Sequence, residues 1–283
     1  MEHYELAQQT LRLGGALIDL SRPQVMGILN VTPDSFFAGS RVQAADALLR
    51  RAEAMLEEGA TFLDVGGYST RPGADEIPLE DELQRVQNAV RTLKLRFPDA
   101  HLSVDTFRAQ VAEAAVAEGA DMINDVSGGN LDDAMFDTVA RLNVPYVLMH
   151  MRGTPQTMKT LNQYDDLLLD VIGELQAKIH RLNEQGVSDI LVDPGFGFAK
   201  NIPQNFRLLR RLEEFRILNR PLLIGVSRKS MIYKTLRITP EDALNGTSVL
   251  HAVALLKGAA ILRVHDVKAA VEAVTLINQI TNA

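Results

Sequence analysis

Short apolar runs rich in β-branched residues recur along the chain, and each ends in polar residues. Runs of about four to eight such residues bounded by turn formers are typical of buried strands. They occupy residues 25–31, 61–65, 101–105, 121–126, 146–150, 189–193, 222–226 and 260–265. The pattern therefore predicts eight strands spread over most of the chain.

Helical periodicity fills most of the intervals between these strands. One apolar stripe comprises Val42, Ala45, Leu49, Ala52 and Leu56, and a second comprises Leu83, Val86, Val90, Leu93 and Phe97. This spacing puts each stripe on one helix face. A glycine stands just before several strands, where a left-handed residue ends a helix, at Gly59, Gly119, Gly186 and Gly258.

The repeat of strand, loop, helix and glycine predicts an α/β fold, a (β/α)8 TIM barrel, with a doubly wound open sheet as the alternative. Residues 11–19, which begin LRLGG, predict a short N-terminal hairpin that turns at Gly14 and Gly15 and covers the amino-terminal end of the barrel. A chain of 283 residues with 46% hydrophobic content suits one large core. We therefore expect a single domain over residues 1–283.

Composition narrows the functions that this barrel can have. The chain has 29 Lys and Arg against 36 Asp and Glu, a net charge of -7, which argues against nucleic acid or an anionic membrane as a partner. It has no cysteine, hence no disulfide or thiolate nucleophile. The sequence shows neither a signal peptide nor a run of about 18 apolar residues. We expect a cytoplasmic protein that captures any anion at a local site.

Polar residues gather at the carboxyl ends of the predicted strands, where barrel enzymes build their active sites. They include Asn30, Asp105, Asn124, His150, Asp193, Ser227, Lys229, Arg263 and His265. Taken singly, each could be a helix cap or a turn residue. Together at one mouth they favour a binding site.

Side-chain alternation places Arg263 and His265 on the same face of the last strand. A buried arginine needs an anionic partner. A structural carboxylate could serve, but a diphosphate fits two adjacent donors better. This pair therefore predicts a diphosphate site.

The other strand ends offer mainly acceptors, from Asp105, Asn124 and Asp193. Acceptors suit a ligand edge rich in N–H groups, such as that of a pterin, and Lys229 adds a donor. Ser230 is predicted to begin the next helix, whose free N–H groups favour a carboxylate.

Several familiar chemistries are disfavoured by motif. No G-x-x-x-x-G-K-[ST] occurs, and the segment from Gly195 to Lys200 lacks the third glycine of G-x-G-x-x-G, so ATP and NAD are poor candidates. The 6 histidines lack H-x-x-x-H spacing, which argues against zinc. The oxygen-rich region at Asn30 suits Mg²⁺ held mostly by ligand and water.

Motifs at all eight strand ends share one family pattern across residues 26–267. They read MGILNVTPDSF from Met26, DVGG from Asp64, STRPG from Ser69, SVDT from Ser103, IND from Ile123, LMHM from Leu148, DPGFGF from Asp193, SRKS from Ser227 and RVHDV from Arg263. These motifs resemble the dihydropteroate synthase family of pterin-binding enzymes.

The resemblance implies a transferase of folate biosynthesis that joins p-aminobenzoate to 6-hydroxymethyl-7,8-dihydropterin diphosphate and expels diphosphate. The pterin would be held by Asp105, Asn124, Asp193 and Lys229. The diphosphate and its Mg²⁺ would be served by Asn30, the metal residue, with Arg71, Arg263 and His265. The p-aminobenzoate would contact Thr70, Pro72, Phe198 and Ser230. The catalytic residues would be Lys229, Arg263, His265 and Asp105.

The resemblance also implies a homodimer, a sulfonamide target, and loops after the first two strands that close over both substrates. Two positions depart from the family pattern. Ala38 stands where a loop aspartate is usual, and Tyr68 stands where many members have Glu. Two other functions stay open. A methyltransferase barrel would share the pterin acceptors but needs no diphosphate site, and a non-catalytic pterin-binding paralogue would fit the loss at Ala38.

Overall fold

The computed structural model describes residues 9–31, 41–68 and 76–281. Parallel strands close into a barrel in the order β10-β3-β4-β5-β6-β7-β8-β9. They are β3 (Gln24–Asn30), β4 (Phe62–Gly66), β5 (His101–Asp105), β6 (Met122–Asp125), β7 (Tyr146–Met149), β8 (Ile190–Asp193), β9 (Leu222–Ile224) and β10 (Ala259–Val264). Because β10 pairs with β3, the sheet is closed, and the TIM barrel is confirmed over the open-sheet alternative.

Helices follow the strands, as the periodicity predicted. They are α1 (Arg41–Glu57), α2 (Leu79–Arg96), α3 (Ala109–Ala117), α4 (Met135–Leu142), α5 (Leu167–Glu184), α6 (Ile202–Arg210), α7 (Ser230–Leu236), α8 (Leu244–Leu256) and α9 (Val267–Thr281), with 3-10 helices at Met158–Thr160 and Leu212–Leu218. Gly59 has φ +98 and Gly119 has φ +106, in the left-handed region expected after a helix. Within the described ranges, no helix is long and apolar enough to cross a membrane.

The N-terminal hairpin is present as predicted. Strands β1 (Thr10–Leu13) and β2 (Ala16–Asp19) pair antiparallel around Gly14 and Gly15, whose φ values of +52 and +91 a two-residue hairpin turn requires. The buried side chains of Leu11 and Leu13 pack against Met26 and Phe62 inside the barrel. The hairpin thus closes one end of the barrel with apolar contacts, and the opposite, carboxyl-terminal end offers room for a binding site.

Alternation along the strands separates an outer core from the barrel interior. On β5, Leu102 and Val104 point outward and belong to the same core cluster as the buried Val86 and Val90 of α2. The intervening positions of the barrel strands point inward, and near the carboxyl ends they are polar. The interior is therefore apolar beside the hairpin and polar at the carboxyl end.

Candidate active site

The guanidinium of Arg263 lies between two buried carboxylates at the barrel mouth. Its Nε donates to Asp64 Oδ2 at 2.6 Å, and its Nη2 donates to Asp105 Oδ2 at 2.7 Å. Arg263 therefore has two structural carboxylates as partners, the alternative to the diphosphate that the sequence favoured. Nη1 of Arg263 makes no hydrogen bond to the described residues, so this edge can still donate to a ligand.

Asp64 is a site residue that the sequence analysis did not assign. Its side chain is fully buried, and Oδ2 also accepts a hydrogen bond of 3.0 Å from Asn124 Nδ2. One signal could have found it, since Asp64 shares the inward face of an otherwise apolar strand with Phe62. A buried carboxylate at such a position needs a partner.

Unsatisfied acceptors lie on the same two strands, β4 and β5. Asp64 Oδ1, Asp105 Oδ1 and Ser103 Oγ are buried without a hydrogen-bond partner among the described residues. Burial raises the pKa of Asp105, and the Arg263 cation opposes that shift. The neighbouring carboxylates raise the pKa of Arg263 well above its ordinary value, against the effect of burial. Arg263 thus stays charged among acceptors that a ligand rich in N–H groups can satisfy.

A second charged pair comprises Asp193, at the end of β8, and Lys229, in the loop after β9. A Cβ added at Gly225 would lie 3.6 Å from Lys229 Nζ and 3.9 Å from Asp193 Oδ2. Both charged groups therefore lie close to this glycine. Burial raises the pKa of Asp193, which Lys229 opposes. Burial lowers the pKa of Lys229 to about 8, which Asp193 opposes. The pair offers one acceptor and one donor side by side.

The predicted p-aminobenzoate residues that the structure describes lie next to Lys229. Its ammonium stands 4.9 Å from the ring centroid of Phe198 and donates to the Phe196 carbonyl. Ser230 is the first residue of α7, as predicted. Phe198 and Ser230 therefore flank the same lysine.

His265 follows directly after β10, two positions beyond Arg263. Its Nδ1 lies 3.1 Å from Ser227 Oγ, and its backbone N–H donates to the same oxygen. Arg51 Nη2 donates to the His265 carbonyl at 2.7 Å. These contacts fix His265 at the carboxyl end of the barrel.

Asn30 is an exposed residue at the end of β3, beside Gly66 and Asp105. Its Oδ1 would lie 3.5 Å from a Cβ added at Gly66, and Asp105 Oδ2 would lie 4.0 Å from it. No group of three or more His, Asp or Glu residues within the described part of the chain could hold a metal ion. The donor set fits Mg²⁺ only where ligand and water supply most of the oxygens, a coordination that this ion accepts.

Several predicted positions lie outside the described residues: Thr70, Arg71, Pro72 and Ala38. Tyr68 is described and buried. Its ring meets the Phe107 ring edge-on at 5.1 Å, and the Arg108 guanidinium lies 5.4 Å from its centroid. The residue that departs from the family pattern thus packs against the loop that follows β5.

The comparisons with known proteins agree with this geometry. The family model described as pterin binding enzyme matches residues 26–265. Dihydropteroate synthase of Escherichia coli K12 is 43% identical over 271 residues, 95% of each chain. The chain belongs to the dihydropteroate synthase family. The family member of Synechocystis is 42% identical over 92% of this chain and 91% of its own.

Solved dihydropteroate synthases share the fold. The Yersinia pestis structure, a sulfonamide drug complex, has a TM-score of 0.90 at 43% identity and covers 97% of this chain and 100% of its own. The Xanthomonas albilineans structure with 4-aminobenzoic acid has a TM-score of 0.89 at 41% identity and covers 98% and 100%. The predicted family, fold and enzyme class, a transferase of folate synthesis, are confirmed.

One further cluster was predicted only in part, since His150 was among the polar residues at strand ends and Lys200 was given no role. Lys200 and His150 are both buried, with Lys200 Nζ 2.9 Å from His150 Nδ1. In the sequence, Lys200 stands at the end of the segment that lacks the third glycine of G-x-G-x-x-G. A lysine directly after an apolar turn gives no sign that it folds back beneath that turn.

Proposed function

We propose that this chain condenses 6-hydroxymethyl-7,8-dihydropterin diphosphate with p-aminobenzoate to give 7,8-dihydropteroate and diphosphate. The observation that carries the proposal is the joint placement of two charged groups at one barrel mouth, Arg263 with Asp64 and Asp105, and Lys229 with Asp193. The first group presents Nη1 of Arg263, which donates to no described residue, and the second presents an acceptor beside a donor.

The pterin ring would donate hydrogen bonds to Asp105, Asn124 and Asp193. It would accept one from Lys229. Support comes from the burial of all three acceptor residues and from the unsatisfied Oδ1 of Asp105. A buried acceptor without a donor is costly, so a ligand that supplies N–H groups gains that energy on binding. The pterin edge has such groups.

The departing diphosphate would contact Nη1 of Arg263, with His265 and Arg71 as further donors. Fixed cations near a growing negative charge lower the barrier because they need no reorganisation during the reaction. Mg²⁺, when bound, would neutralise charge on the leaving group. Asn30 would hold it through Oδ1, with oxygens of ligand and water.

The chemistry needs little acid–base catalysis. The bond between the pterin methylene and the diphosphate oxygen breaks, and its electron pair leaves with diphosphate. The p-aminobenzoate nitrogen forms the new bond to carbon and loses one proton. The carboxylates Asp105 and Asp193 would stabilise positive charge that develops on the pterin, and Thr70, Pro72, Phe198 and Ser230 would orient the amine.

Assembly and location extend the proposal. We place the activity in a single cytoplasmic domain over residues 1–283 that forms a homodimer. A large apolar patch on a soluble protein often marks an interface. Helices α8 and α9 carry exposed apolar side chains, namely Val249 at 56%, Leu256 at 57%, Leu276 at 66% and Ile280 at 64%. Nη1 of Arg263 donates to none of the residues that the structure describes, which disfavours a methyltransferase, because its substrate has no diphosphate.

One assay tests the reaction. The purified protein is incubated with pterin diphosphate, p-aminobenzoate and Mg²⁺, and both diphosphate and dihydropteroate are measured. We expect equimolar formation of the two products, lost on chelation of Mg²⁺ and restored by its addition. Pterin binding without condensation would support the non-catalytic paralogue instead.

A further inference from the structure

Lys200 is a buried lysine behind the proposed pterin site, with 8% of its surface exposed. Its Nζ lies 3.1 Å from the carbonyl oxygens of Gly195 and Phe198 and 2.9 Å from His150 Nδ1. An ammonium has three N–H donors. Each donor of Lys200 therefore has an acceptor, and two of these acceptors belong to the loop 194–199.

The lysine is supported from two other elements. His150 Nε2 lies 3.0 Å from Glu174 Oε2 on α5, and Arg152 also pairs with Glu174. Burial lowers the pKa of His150 to about 4, so its ring is neutral at neutral pH, with the proton on Nε2 toward the carboxylate. Nδ1 is then the acceptor that faces Lys200. The chain of contacts thus holds the lysine in one place.

The loop that Lys200 fixes carries part of the proposed site. The Gly195 N–H donates to Asp193 Oδ1 at 2.7 Å, and the Phe196 carbonyl accepts from Lys229. The Phe198 ring faces the same ammonium. A loop held by two of its carbonyls keeps these three contacts in register.

Lys200 also adds a positive charge near Asp193. The cations that favour the ionised form of Asp193 are Lys229, Arg263 and Lys200, and they oppose the effect of burial, which raises the pKa of Asp193. Burial lowers the pKa of Lys200 to about 7, which Asp193 and Glu174 oppose and which Lys229 and Arg152 reinforce. Well below pH 7, Lys200 therefore carries its full charge.

We propose that Lys200 is a positioning residue for the pterin site, which fixes the loop 194–199 and with it the contacts of that loop to Asp193 and Lys229, without touching the substrate. This inference rests on the proposed role of Asp193 in pterin binding. A lysine that only filled space would leave the pH dependence of binding unchanged.

The test is a calorimetric titration with 6-hydroxymethylpterin between pH 4.5 and 8, on the wild type and on Lys200→Met, Lys200→Arg and Lys159→Met. Lys159 is an exposed lysine and serves as the matched control. We expect Lys200→Met to raise Kd by at least about tenfold at pH 7. The acid limb of the pH profile, where pterin affinity falls on acidification, should move up by about half a pH unit or more, because Asp193 loses a neighbouring cation. Lys200→Arg should restore the limb, since it keeps the charge.

A uniform loss of affinity without a shift of the acid limb would overturn the charge role, and unchanged affinity would overturn the whole inference. If the wild type itself does not bind the pterin, the proposed function fails instead. Should Lys200→Met not fold, Glu174→Gln provides a second variant at a partly exposed side chain. It removes a charge that favours the Lys200 cation, so Lys200 should lose its proton at a lower pH. The fall in pterin affinity on the alkaline side of the profile should then begin at a lower pH than in the wild type, and an unchanged profile contradicts the inference.

Discussion

Arg263 Nε donates to Asp64 Oδ2 across 2.6 Å, although the two residues lie 199 positions apart in the chain. Their strands are not neighbours, because β10 and β4 both pair with β3, which lies between them. The same Asp64 oxygen accepts from Asn124 on β6. One buried carboxylate therefore orients two residues proposed to bind substrate, and it links both sides of the barrel mouth.

Replacement of Asp64 by Asn should destabilise the protein and weaken pterin binding. The substitution removes one of the two carboxylates that neutralise the buried Arg263, and loss of one partner from a buried pair costs about 3–5 kcal/mol. Because Asp105 stays in place, we expect the free energy of unfolding, measured in urea, to fall by about 2–4 kcal/mol. Pterin affinity, measured by calorimetry, should fall because Arg263 and Asn124 lose the carboxylate oxygen that orients both of them.

Asp99→Asn is the matched control for this substitution. Asp99 is exposed in a turn, and such surface changes usually alter stability by less than about 0.5 kcal/mol. If Asp64→Asn were as stable as Asp99→Asn and bound pterin equally well, Asp64 would have no role in orienting the site.

Asp193→Ala should abolish measurable pterin binding. The ring N–H donors would lose their charged acceptor in a buried site, at a cost of about 3 kcal/mol, which is more than a hundredfold in Kd. Because burial raises the pKa of Asp193, wild-type affinity should decline on acidification at a higher pH than for an ordinary aspartate. Calorimetry on Asp193→Ala and on the exposed control Asp133→Ala checks the first point, and unchanged affinity would contradict it.

The sequence was sufficient for the architecture because strand and helix periods are local. The run predicted at 101–105 is β5 with the same bounds, and Gly14 and Gly15 form the predicted turn. The last strand ends at Val264, one residue before the predicted end, because His265 bonds to Ser227 after β9. A contact between strand ends depends on barrel closure, which no local pattern contains.

The same limit explains which site residues could be predicted. Asp105 and Asp193 were recognisable because polar residues at strand ends follow from the barrel itself. Asp64 lies two residues before the end of β4, and its role follows only from its contact with Arg263 on the other side of the barrel mouth. The role of Lys200 could not be predicted for a related reason. Its amine reaches His150 only because the preceding turn folds back, and no local pattern shows this.

Tyr68 should contribute to stability through its ring. The side chain is 7% exposed and packs against Phe107 and Arg108. Edge-to-face aromatic pairs and cation–π contacts each add roughly 0.5–1.5 kcal/mol to the energy of burial. We expect Tyr68→Ala to lower the free energy of unfolding by about 3 kcal/mol.

Tyr68→Phe is the matched variant, because it keeps the ring and removes only the hydroxyl. That hydroxyl has no hydrogen-bond partner among the residues that the structure describes, so stability should change by less than about 1 kcal/mol. An equal loss in the two variants, measured by urea unfolding, would show that the hydroxyl and not the ring stabilises the loop.

His251 should make the fold sensitive to acid. It is buried on α8, and Nε2 lacks a hydrogen-bond partner within the described part of the chain. Burial lowers the pKa of His251 from its usual 6.5 to about 4. Between these values the unfolded chain binds a proton that the native protein does not, so stability falls as the pH falls from about 7 toward 4. Buried His150, whose pKa burial also lowers to about 4, adds a similar effect.

His251→Leu removes one of these two titrations and leaves the other. One pKa unit corresponds to about 1.4 kcal/mol, so the variant should lose about 2 kcal/mol less than the wild type between pH 7 and pH 5. Urea unfolding at both pH values measures this difference, which does not depend on how well leucine packs at either pH. His180→Leu is the matched control for the substitution itself, because the His180 side chain is 73% exposed. Equal slopes for His251→Leu and the wild type would mean that His251 is protonated in the native protein, which its burial opposes.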